Sequence, residues 1–399
     1  MRKTSEELQA IMKQENCDRL WSWSRINCFN TSPFEYMLKY IKHTPEDRQD
    51  CIYTTTGTIA HDILEKFYTN KIKYEDMIDH FEDAWLIAHD VGQLKFDRND
   101  EEKNKKIGEK YYENLKHFFN NHTILNNKPI IEQFVKFKIG DNLFTGYIDC
   151  CFKDDDDNYN IIDFKTSSIY KGDKAENECG QLVCYAISLN QMGIPFDKIR
   201  IAWNFLKYVS IQYEQKNGAI KIREVDRSKI GESLQSNAKT WLKAFGYEPD
   251  DYLKLLLDTN SIEVLPEEVQ QKYVISDCYV YVPLTQKLID KWINTIITTI
   301  ADIKLREADY KETGSEMCFW DTDENVEKNS FYFATLSGYS GNLHKPYGRY
   351  LERLEAKKNG SDLFGGVGSS FGENVETTDK VICSSNDNGE VDLSWLDAL

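Results

Sequence analysis

Acidic and basic side chains recur in the segment FTGYIDCCFKDDDDNYNIIDFK, residues 144–165, whose pattern predicts two β-strands joined by a polar turn. Because successive side chains of a strand point to opposite faces, Asp149 of the first strand and Asp163 and Lys165 of the second project to the same side. Carboxylate oxygens bind hard divalent cations, and a lysine beside them can hold or deprotonate an attacking water. The set therefore has two open interpretations: metal-assisted hydrolysis, or a solvated surface on which the aspartates do no chemistry.

A predicted helix upstream, GTIAHDILEKFY at residues 57–68, brings His61 and Glu65 onto one side, one turn apart. Two interpretations of this pair remain open: a structural contact at the edge of a core, or an imidazole offered to a metal that carboxylates already hold. Glu132, near the start of the predicted strand IIEQFVKFKI, is either a supporting acid or half of a surface salt bridge.

Two further segments could hold a substrate phosphate. In WSWSRINCFNTSPFEYMLKYI, Ser22 and Arg25 either contact phosphate or belong to a helical segment that packs on the core. In the predicted helix CGQLVCYAISLNQMG, Gln181 and Tyr185 lie one turn apart, directly after the candidate site. They either hydrogen-bond a nucleic-acid backbone, hold Lys165, or cap the sheet.

These residues are positioned by a predicted order of helix, three strands, helix and strand, which indicates an α/β protein. Residues 198–206 predict a half-buried strand, residues 208–225 a further strand pair, and residues 166–178 a loop. We divide the chain into an N-terminal helical segment, an α/β domain with a helical insertion, a short basic helix region and an acidic tail. Their bounds are 1–56, 57–330 with the insertion at about 70–128, 331–360 and 361–399.

The formal net charge of the 399-residue chain is −17, which argues weakly against a nucleic-acid partner. The tail from residue 361 holds eight acidic residues against one lysine, so part of that charge lies outside the predicted domain. Its sparse aromatic content predicts disorder, and its apolar tip, EVDLSWLDAL, is either a plain chain end or a short motif that docks on a partner. No segment has the character of a signal peptide or of a membrane span, so a cytoplasmic location is expected.

Taken in order, four elements resemble the PD-(D/E)XK nuclease superfamily, and within it the RecB-like exonuclease branch that includes phage nucleases and CRISPR adaptation exonucleases. They are SxSRIxxFxxSPFxYxLKY at residues 22–40, GTIAHDILE at 57–65, GYID and DFKT between 146 and 166, and QLVCY at 181–185. The resemblance implies a restriction-endonuclease-like core, in which a central mixed sheet is flanked by helices and carries helical insertions.

The resemblance also implies roles for the site residues. The metal ligands would be His61, Asp149, Asp163 and the backbone carbonyl of Phe164; the catalytic lysine would be Lys165; Glu65 would support the site, and Gln181 and Tyr185 would lie beside it. The implied cofactor is Mg²⁺ or Mn²⁺, and the implied substrate is DNA, as ends or as single strands.

Many members of this branch bind an iron–sulfur cluster through one cysteine in the N-terminal motif and three near the end of the nuclease domain. Here Ser32 occupies the first position, Cys28 lies four residues earlier, and the later region offers Cys318. We therefore predict no iron–sulfur cluster and closure of the core by packing instead. The side chains expected to pack there are Met317, Phe319 and Trp320.

The predicted function is a metal-dependent DNA nuclease, most simply an exonuclease acting on DNA ends in phage-type recombination, replication or repair, with endonuclease activity left open. The alternative is a nuclease-fold subunit that binds DNA ends and recruits a helicase, a clamp or a single-strand-binding protein through residues 387–399. The bias towards Lys, Asn, Asp and Ile fits an AT-rich genome such as that of a bacteriophage, which would place the protein in the host cytoplasm.

Overall fold

The computed structural model describes residues 2–125 and 127–358, so the predicted acidic tail and its docking motif lie outside the described residues. The helices are α1 Ser5–Gln14, α2 Trp23–Thr31, α3 Pro33–Tyr36, α4 Ile52–Tyr68, α5 Met77–Trp85, α6 Glu101–Asn121, α7 Asp173–Glu178, α8 Gly180–Gln191, α9 Ile230–Ala244, α10 Pro249–Thr259, α11 Glu267–Gln270, α12 Gln286–Thr313, α13 Asp323–Lys328 and α14 Lys345–Lys358. The strands are β1 Ile130–Ile139, β2 Asn142–Lys153, β3 Tyr159–Lys165, β4 Ile199–Glu214, β5 Ile220–Asp226 and β6 Tyr273–Val282.

The strands form a mixed sheet in the order β1-β2-β3-β4-β5, and β6 pairs with β4. β1, β2 and β3 pair antiparallel, β3 and β4 pair parallel, and β4 pairs antiparallel with both β5 and β6. Parallel neighbours require a crossover connection, which α7 and α8 supply between β3 and β4. The predicted α/β class, with a central mixed sheet flanked by helices, is confirmed.

β4 is a single strand of 16 residues, although the sequence predicts a break at Lys207. The pattern predicts one strand at residues 198–206 and a separate strand pair at residues 208–225. In the structure Lys207 is 4% exposed, and its Nζ lies 3.5 Å from the centroid of the Tyr111 ring in α6. The aromatic face offsets part of the cost of burying the charge, so the strand continues.

The predicted loop at residues 166–178 is wrong in its second half, where α7 forms. Asp173 and Glu176 lie in the first turn of this short helix. Acidic side chains at that position interact favourably with the backbone N–H groups of a helix N-terminus. A polar, charged hexapeptide gives no apolar periodicity, which explains why the pattern did not predict the helix.

α4, α5 and α6 pack against the sheet and share one buried apolar cluster with it. Its helical members include Ala60, Ile63, Leu64, Phe81, Trp85, Leu115, Phe118 and Phe119, and its strand members are Cys150, Ile162, Phe164, Ala202 and Leu206. Burying a large apolar side chain contributes roughly 1.5–3 kcal/mol. The helices of the predicted insertion at about 70–128 are therefore integral to this core, and α4 is fixed firmly above the strands that carry the candidate acids.

The described residues divide into two compact units. The first comprises residues 2–23 and 52–293 and contains the sheet; the second comprises residues 24–51 and 294–358. Within the second unit Ser32, the N-cap of α3, donates its hydroxyl hydrogen to Asp321 Oδ2 at 2.7 Å and lies 2.9 Å from His344 Nε2. All three side chains are buried, and burial raises the pKa of Asp321 to about 7. The position at which a cluster cysteine was considered thus belongs to a buried hydrogen-bond network.

Packing near Ser32 differs in part from the prediction. Phe319 is fully buried, as expected, but Met317 is 65% exposed, so the prediction that it closes the core is wrong. Both residues belong to the 3₁₀ turn Glu316–Phe319, whose tight winding turns Met317 outward when Phe319 points inward. Trp320 follows the turn, and the guanidinium carbon of Arg349 lies 4.7 Å from its ring centroid.

α12 has 28 residues, but its apolar positions are interrupted by charged ones. Neither α12 nor any other helix within residues 2–125 and 127–358 is long and apolar enough to span a membrane.

Candidate functional site

β2 and β3 separate at the candidate site. Their antiparallel pairing ends at Cys150 and Ile162, and Asp149 and Asp163 follow directly beyond that pair. The charge of Asp163 lies close enough to Asp149 to raise its pKa, and Asp149 Oδ2 accepts the backbone N–H of Phe164 at 3.3 Å. The structure therefore brings together the two acids that side-chain alternation had placed on one side.

The surroundings of Asp149 disfavour its negatively charged form. Burial raises the pKa of Asp149 well above its usual range, and the neighbouring Asp163 and Glu132 raise it further. A buried carboxyl group beside other acids is stabilised by taking up a proton or by binding a cation. The donor set therefore fits a divalent cation, which would displace the proton and balance the charge.

His61 reaches the same gap from α4. Its Nε2 lies 2.8 Å from the Phe164 carbonyl oxygen, and its Nδ1 lies 3.5 Å from Asp149 Oδ2. Because a carbonyl oxygen can only accept, we assign the hydrogen of the neutral ring to Nε2, which leaves the Nδ1 lone pair directed at Asp149. Burial lowers the pKa of His61, so the neutral form that can ligate a metal is favoured.

Lys165 completes the predicted motif from β3. Its Nζ lies 3.0 Å from Asp163 Oδ2, and its side chain is largely buried. Burial alone would lower the pKa of Lys165, but the charges of Asp163, Tyr170 and Asp149 together outweigh burial and raise the pKa above the usual range. In this state Lys165 is an ammonium ion, so it can donate hydrogen bonds to water or phosphate but cannot take up a proton.

Glu132 joins the site from β1, directly opposite Asp149. The pairing of β1 with β2 passes over these two residues, and Glu132 adopts a left-handed backbone with φ of 52°. One ligand atom each from His61, Glu132 and Asp149 lie within 4.8 Å of one another. Ligands bound to one cation at 2.0–2.6 Å are at most about 5 Å apart, so the spacing is compatible with a single metal ion. The structure combines the two sequence interpretations, because Glu132 also forms a salt bridge with Arg2 at 3.4 Å.

Gln181 and Tyr185 of α8 border the acids. Gln181 Nε2 donates to Tyr185 Oη at 3.2 Å, and burial followed by the charge of Asp149 raises the pKa of Tyr185 well above its usual range. The Tyr185 ring lies against Gly146 of β2, where an added Cβ would come within 2.9 Å of Tyr185 Cε1. The glycine of the GYID motif thus allows the close approach of α8 to β2.

The remaining predicted site residues lie at the surface or in packed positions. Glu65 pairs with Lys71 at 3.3 Å, and its role as a catalytic residue remains a prediction. Ser22 is buried, and Arg25 stacks on Tyr40 with 4.4 Å between its guanidinium carbon and the ring centroid. Phosphate contacts by Ser22 and Arg25 likewise remain predictions.

The sequence matches the model of the PD-(D/E)XK nuclease superfamily over residues 20–320, most of its length. The chain belongs to this superfamily. A search of curated proteins gave no match. Membership implies that this PD-(D/E)XK protein is a metal-dependent nuclease that cleaves phosphodiesters, with DNA as its substrate.

The matched range contains every residue that the structure gathers in the gap between β2 and β3. Sequence reasoning gave Glu132 two readings and did not assign it to the metal group. The signal that could have assigned it was register: in an antiparallel hairpin with a turn at residues 140–141, Glu132 falls opposite Asp149.

Proposed function

We propose that this PD-(D/E)XK nuclease is an exonuclease that hydrolyses phosphodiesters at DNA ends with Mg²⁺ or Mn²⁺. The observation that carries the proposal is the convergence of His61, Glu132 and Asp149, from one helix and two strands, within the span of a single cation. The exonuclease assignment and a place in phage-type recombination, replication or repair are supported by the ordered motifs that resemble the RecB-like branch.

The metal would be held by His61, Glu132 and Asp149, together with Asp163 and the Phe164 carbonyl as the resemblance implies. When bound, a divalent cation supplies a polarised phosphate and a coordinated water of lowered pKa. Loss of a proton from Asp149, whose pKa burial raises, would accompany binding, because its carboxylate then faces positive charge.

The protein's own groups would position the reactants. Lys165, held by Asp163, donates hydrogen bonds to the attacking water or to a phosphate oxygen and stabilises the negative charge that develops there. Tyr185 accepts a hydrogen bond from Gln181, so its hydroxyl hydrogen remains available to a phosphate oxygen. Base catalysis by Lys165 is disfavoured in this arrangement, since its charge is stabilised by Asp163.

The test compares Asp163→Asn and Lys165→Ala with the unchanged protein on end-labelled linear DNA and on circular DNA, with and without Mn²⁺. We expect degradation of linear DNA alone, loss of at least about a hundredfold in rate for both variants, and weaker Mn²⁺ binding for Asp163→Asn than for Lys165→Ala. Calorimetry with Mn²⁺ separates metal binding from turnover.

The matched control is Asp62→Asn, since Asp62 adjoins His61 on α4 but forms an exposed pair with Lys66 at 2.7 Å. It should cleave at the unchanged rate. Full activity of Asp163→Asn, with circular dichroism showing an intact fold, would refute the site, and nicking of circles would replace the exonuclease with an endonuclease. Docking of a helicase, clamp or single-strand-binding protein on residues 387–399 remains a proposal that rests on the sequence pattern alone.

A further inference from the structure

The segment before α1 is fixed against β2. Thr4 and Glu7 form a reciprocal capping box at the start of α1, and Leu8 is fully buried. The backbone N–H of Lys3 donates to Tyr147 Oη at 2.6 Å. A capped helix and a short hydrogen bond hold residues 2–4 in one place, two positions along β2 from Asp149.

This attachment brings the side chain of Arg2 to the acidic group. Its Nη2 lies 3.4 Å from Glu132 Oε2, and its guanidinium carbon lies 5.4 Å from the centroid of the Tyr147 ring. The side chain of Arg2 is 31% exposed and that of Glu132 only 12%, so Arg2 is the more solvent-accessible partner of the pair. Burial is the main cause that lowers the pKa of His61, and the charge of Arg2 contributes to it.

A guanidinium at the rim of a site for a divalent cation requires an explanation, because two cations compete for Glu132. Arginine binds phosphate through two parallel N–H groups in one plane, and stacking on an aromatic ring holds that plane without using the N–H donors. Once Glu132 binds a metal ion, the contact with Tyr147 keeps Arg2 at the rim, where its guanidinium can bind an anion. A nucleic-acid phosphate beside the scissile bond is such an anion.

We propose that Arg2 binds a phosphate of the DNA substrate at the rim of the metal site, and that Glu132 holds the guanidinium in place until metal and DNA arrive. The inference rests on the proposed nuclease function and adds a substrate-binding residue to it. Arg2 is not a metal ligand, and its contribution is to the affinity for DNA.

The experiment uses the full chain with any affinity tag at the C-terminal end, so that the tag is far in sequence from Arg2. Arg2→Gln removes the charge, and Arg2→Lys keeps the charge without the planar pair of donors. The matched control, Lys13→Gln, removes an exposed positive charge from the last turn of α1. Two quantities are measured: the dissociation constant of a fluorescent linear duplex in Ca²⁺ at several salt concentrations, and the dissociation constant of Mn²⁺ without DNA.

Arg2→Gln should weaken DNA binding about tenfold or more. The slope of log affinity against log salt concentration should become smaller by about 1, which corresponds to the loss of one phosphate contact. Arg2→Lys should weaken DNA binding less, and Lys13→Gln should change neither quantity. Mn²⁺ should bind Arg2→Gln as tightly as the unchanged protein or more tightly, because a competing cation is gone.

Equal DNA affinity and salt slope in Arg2→Gln and Lys13→Gln would overturn the proposal, even if Mn²⁺ binding tightened, since Arg2 would then be only a counter-ion of Glu132. Weaker Mn²⁺ binding with unchanged DNA affinity would also overturn it and assign Arg2 to support of Glu132. An unchanged protein that binds neither Mn²⁺ nor DNA would refute the nuclease function itself, which is a different result from either of these.

Discussion

Glu132 combines an unfavourable backbone with a favourable position. A left-handed conformation costs a non-glycine residue about 1–2 kcal/mol, and such residues are concentrated at functional sites. Here the conformation, with φ of 52°, occurs within β1 and places a carboxylate opposite Asp149. The strained backbone therefore occurs at the residue whose carboxylate joins His61 and Asp149 in the metal group.

Glu132→Gln keeps the size of the side chain but removes one anionic oxygen from the metal group. We expect the affinity for Mn²⁺ to fall about tenfold or more, with circular dichroism and unfolding temperature close to those of the unchanged protein. Isothermal titration with Mn²⁺ measures the change, and Glu6→Gln on the exposed face of α1 is the control. Equal Mn²⁺ affinity in the two variants would remove Glu132 from the metal group.

At the scale of single residues, the sequence predicts what depends on local rules. Asp149, Asp163 and Lys165 follow from alternation along two short strands, and the structure gathers them. The positions of Glu132 and Arg2 depend on the register of β1 and on a segment 130 residues away in the chain. Periodic patterns in a sequence do not reveal such long-range contacts. The places of Glu132 and Arg2 at the site could therefore be found only from the structure.

At the scale of elements, the contact between β2 and α8 sets the position of Tyr185. Gly146 leaves room for the ring, and an added methyl group would approach Tyr185 Cε1 to 2.9 Å. Gly146→Ala should destabilise the protein by about 1–2 kcal/mol and slow DNA cleavage, because the displaced ring lies beside Asp149. Urea unfolding and the cleavage rate measure the two effects.

A second variant separates this contact from any general effect of alanine in a strand. Tyr185→Leu lacks the atom that an alanine at position 146 would meet, so the loss of stability caused by Gly146→Ala should be smaller in that background. An equal loss in both backgrounds would show that the Gly146 position is sensitive for another reason.

The element boundaries that the sequence missed have a common physical cause. β4 continues through Lys207 because the ring of Tyr111 accommodates the ammonium group. α7 forms from charged residues that show no apolar periodicity. Met317 is exposed because Phe319 takes the buried side of a tight turn. In each case a tertiary contact or a charge at a helix end determines the element boundary or the buried side chain. Patterns of apolar spacing do not contain that information.

At the scale of the whole molecule, folding holds some histidines neutral. Burial, followed by the charge of Arg227, lowers the pKa of His117 in α6 to about 4 from 6.5. His117 is protonated near pH 6.5 in the unfolded chain but only near pH 4 in the folded protein. His117 therefore leaves the free energy of unfolding unchanged above pH 6.5 and lowers it progressively as the pH falls from 6.5 to 4.

The loss amounts to at most about 3 kcal/mol, less to the extent that solvent reaches the ring. His117→Leu should flatten the dependence of the free energy of unfolding on pH between 6.5 and 4, compared with the unchanged protein. Urea unfolding at four pH values across this window measures both slopes. A steeper slope in His117→Leu would contradict the assignment.

The sequence predicts the α/β class and the motif order, because both depend on the succession of periodic segments. The packing of residues 77–121 into the main core was not predicted, since amphipathic helices read equally well as an insertion or a lid. Their aromatic side chains join the same cluster as Ile162 and Phe164.

The left-handed backbone at position 132 also bears on how this protein would respond to laboratory evolution. Glycine adopts that conformation at little steric cost, so Glu132→Gly would gain back part of the free energy that the native residue gives up. A library of variants screened for thermal stability alone would accumulate Glu132→Gly. Such variants would be more heat-stable but would bind Mn²⁺ weakly. Screens of variants of this protein should therefore measure the rate of DNA cleavage as well as thermal stability.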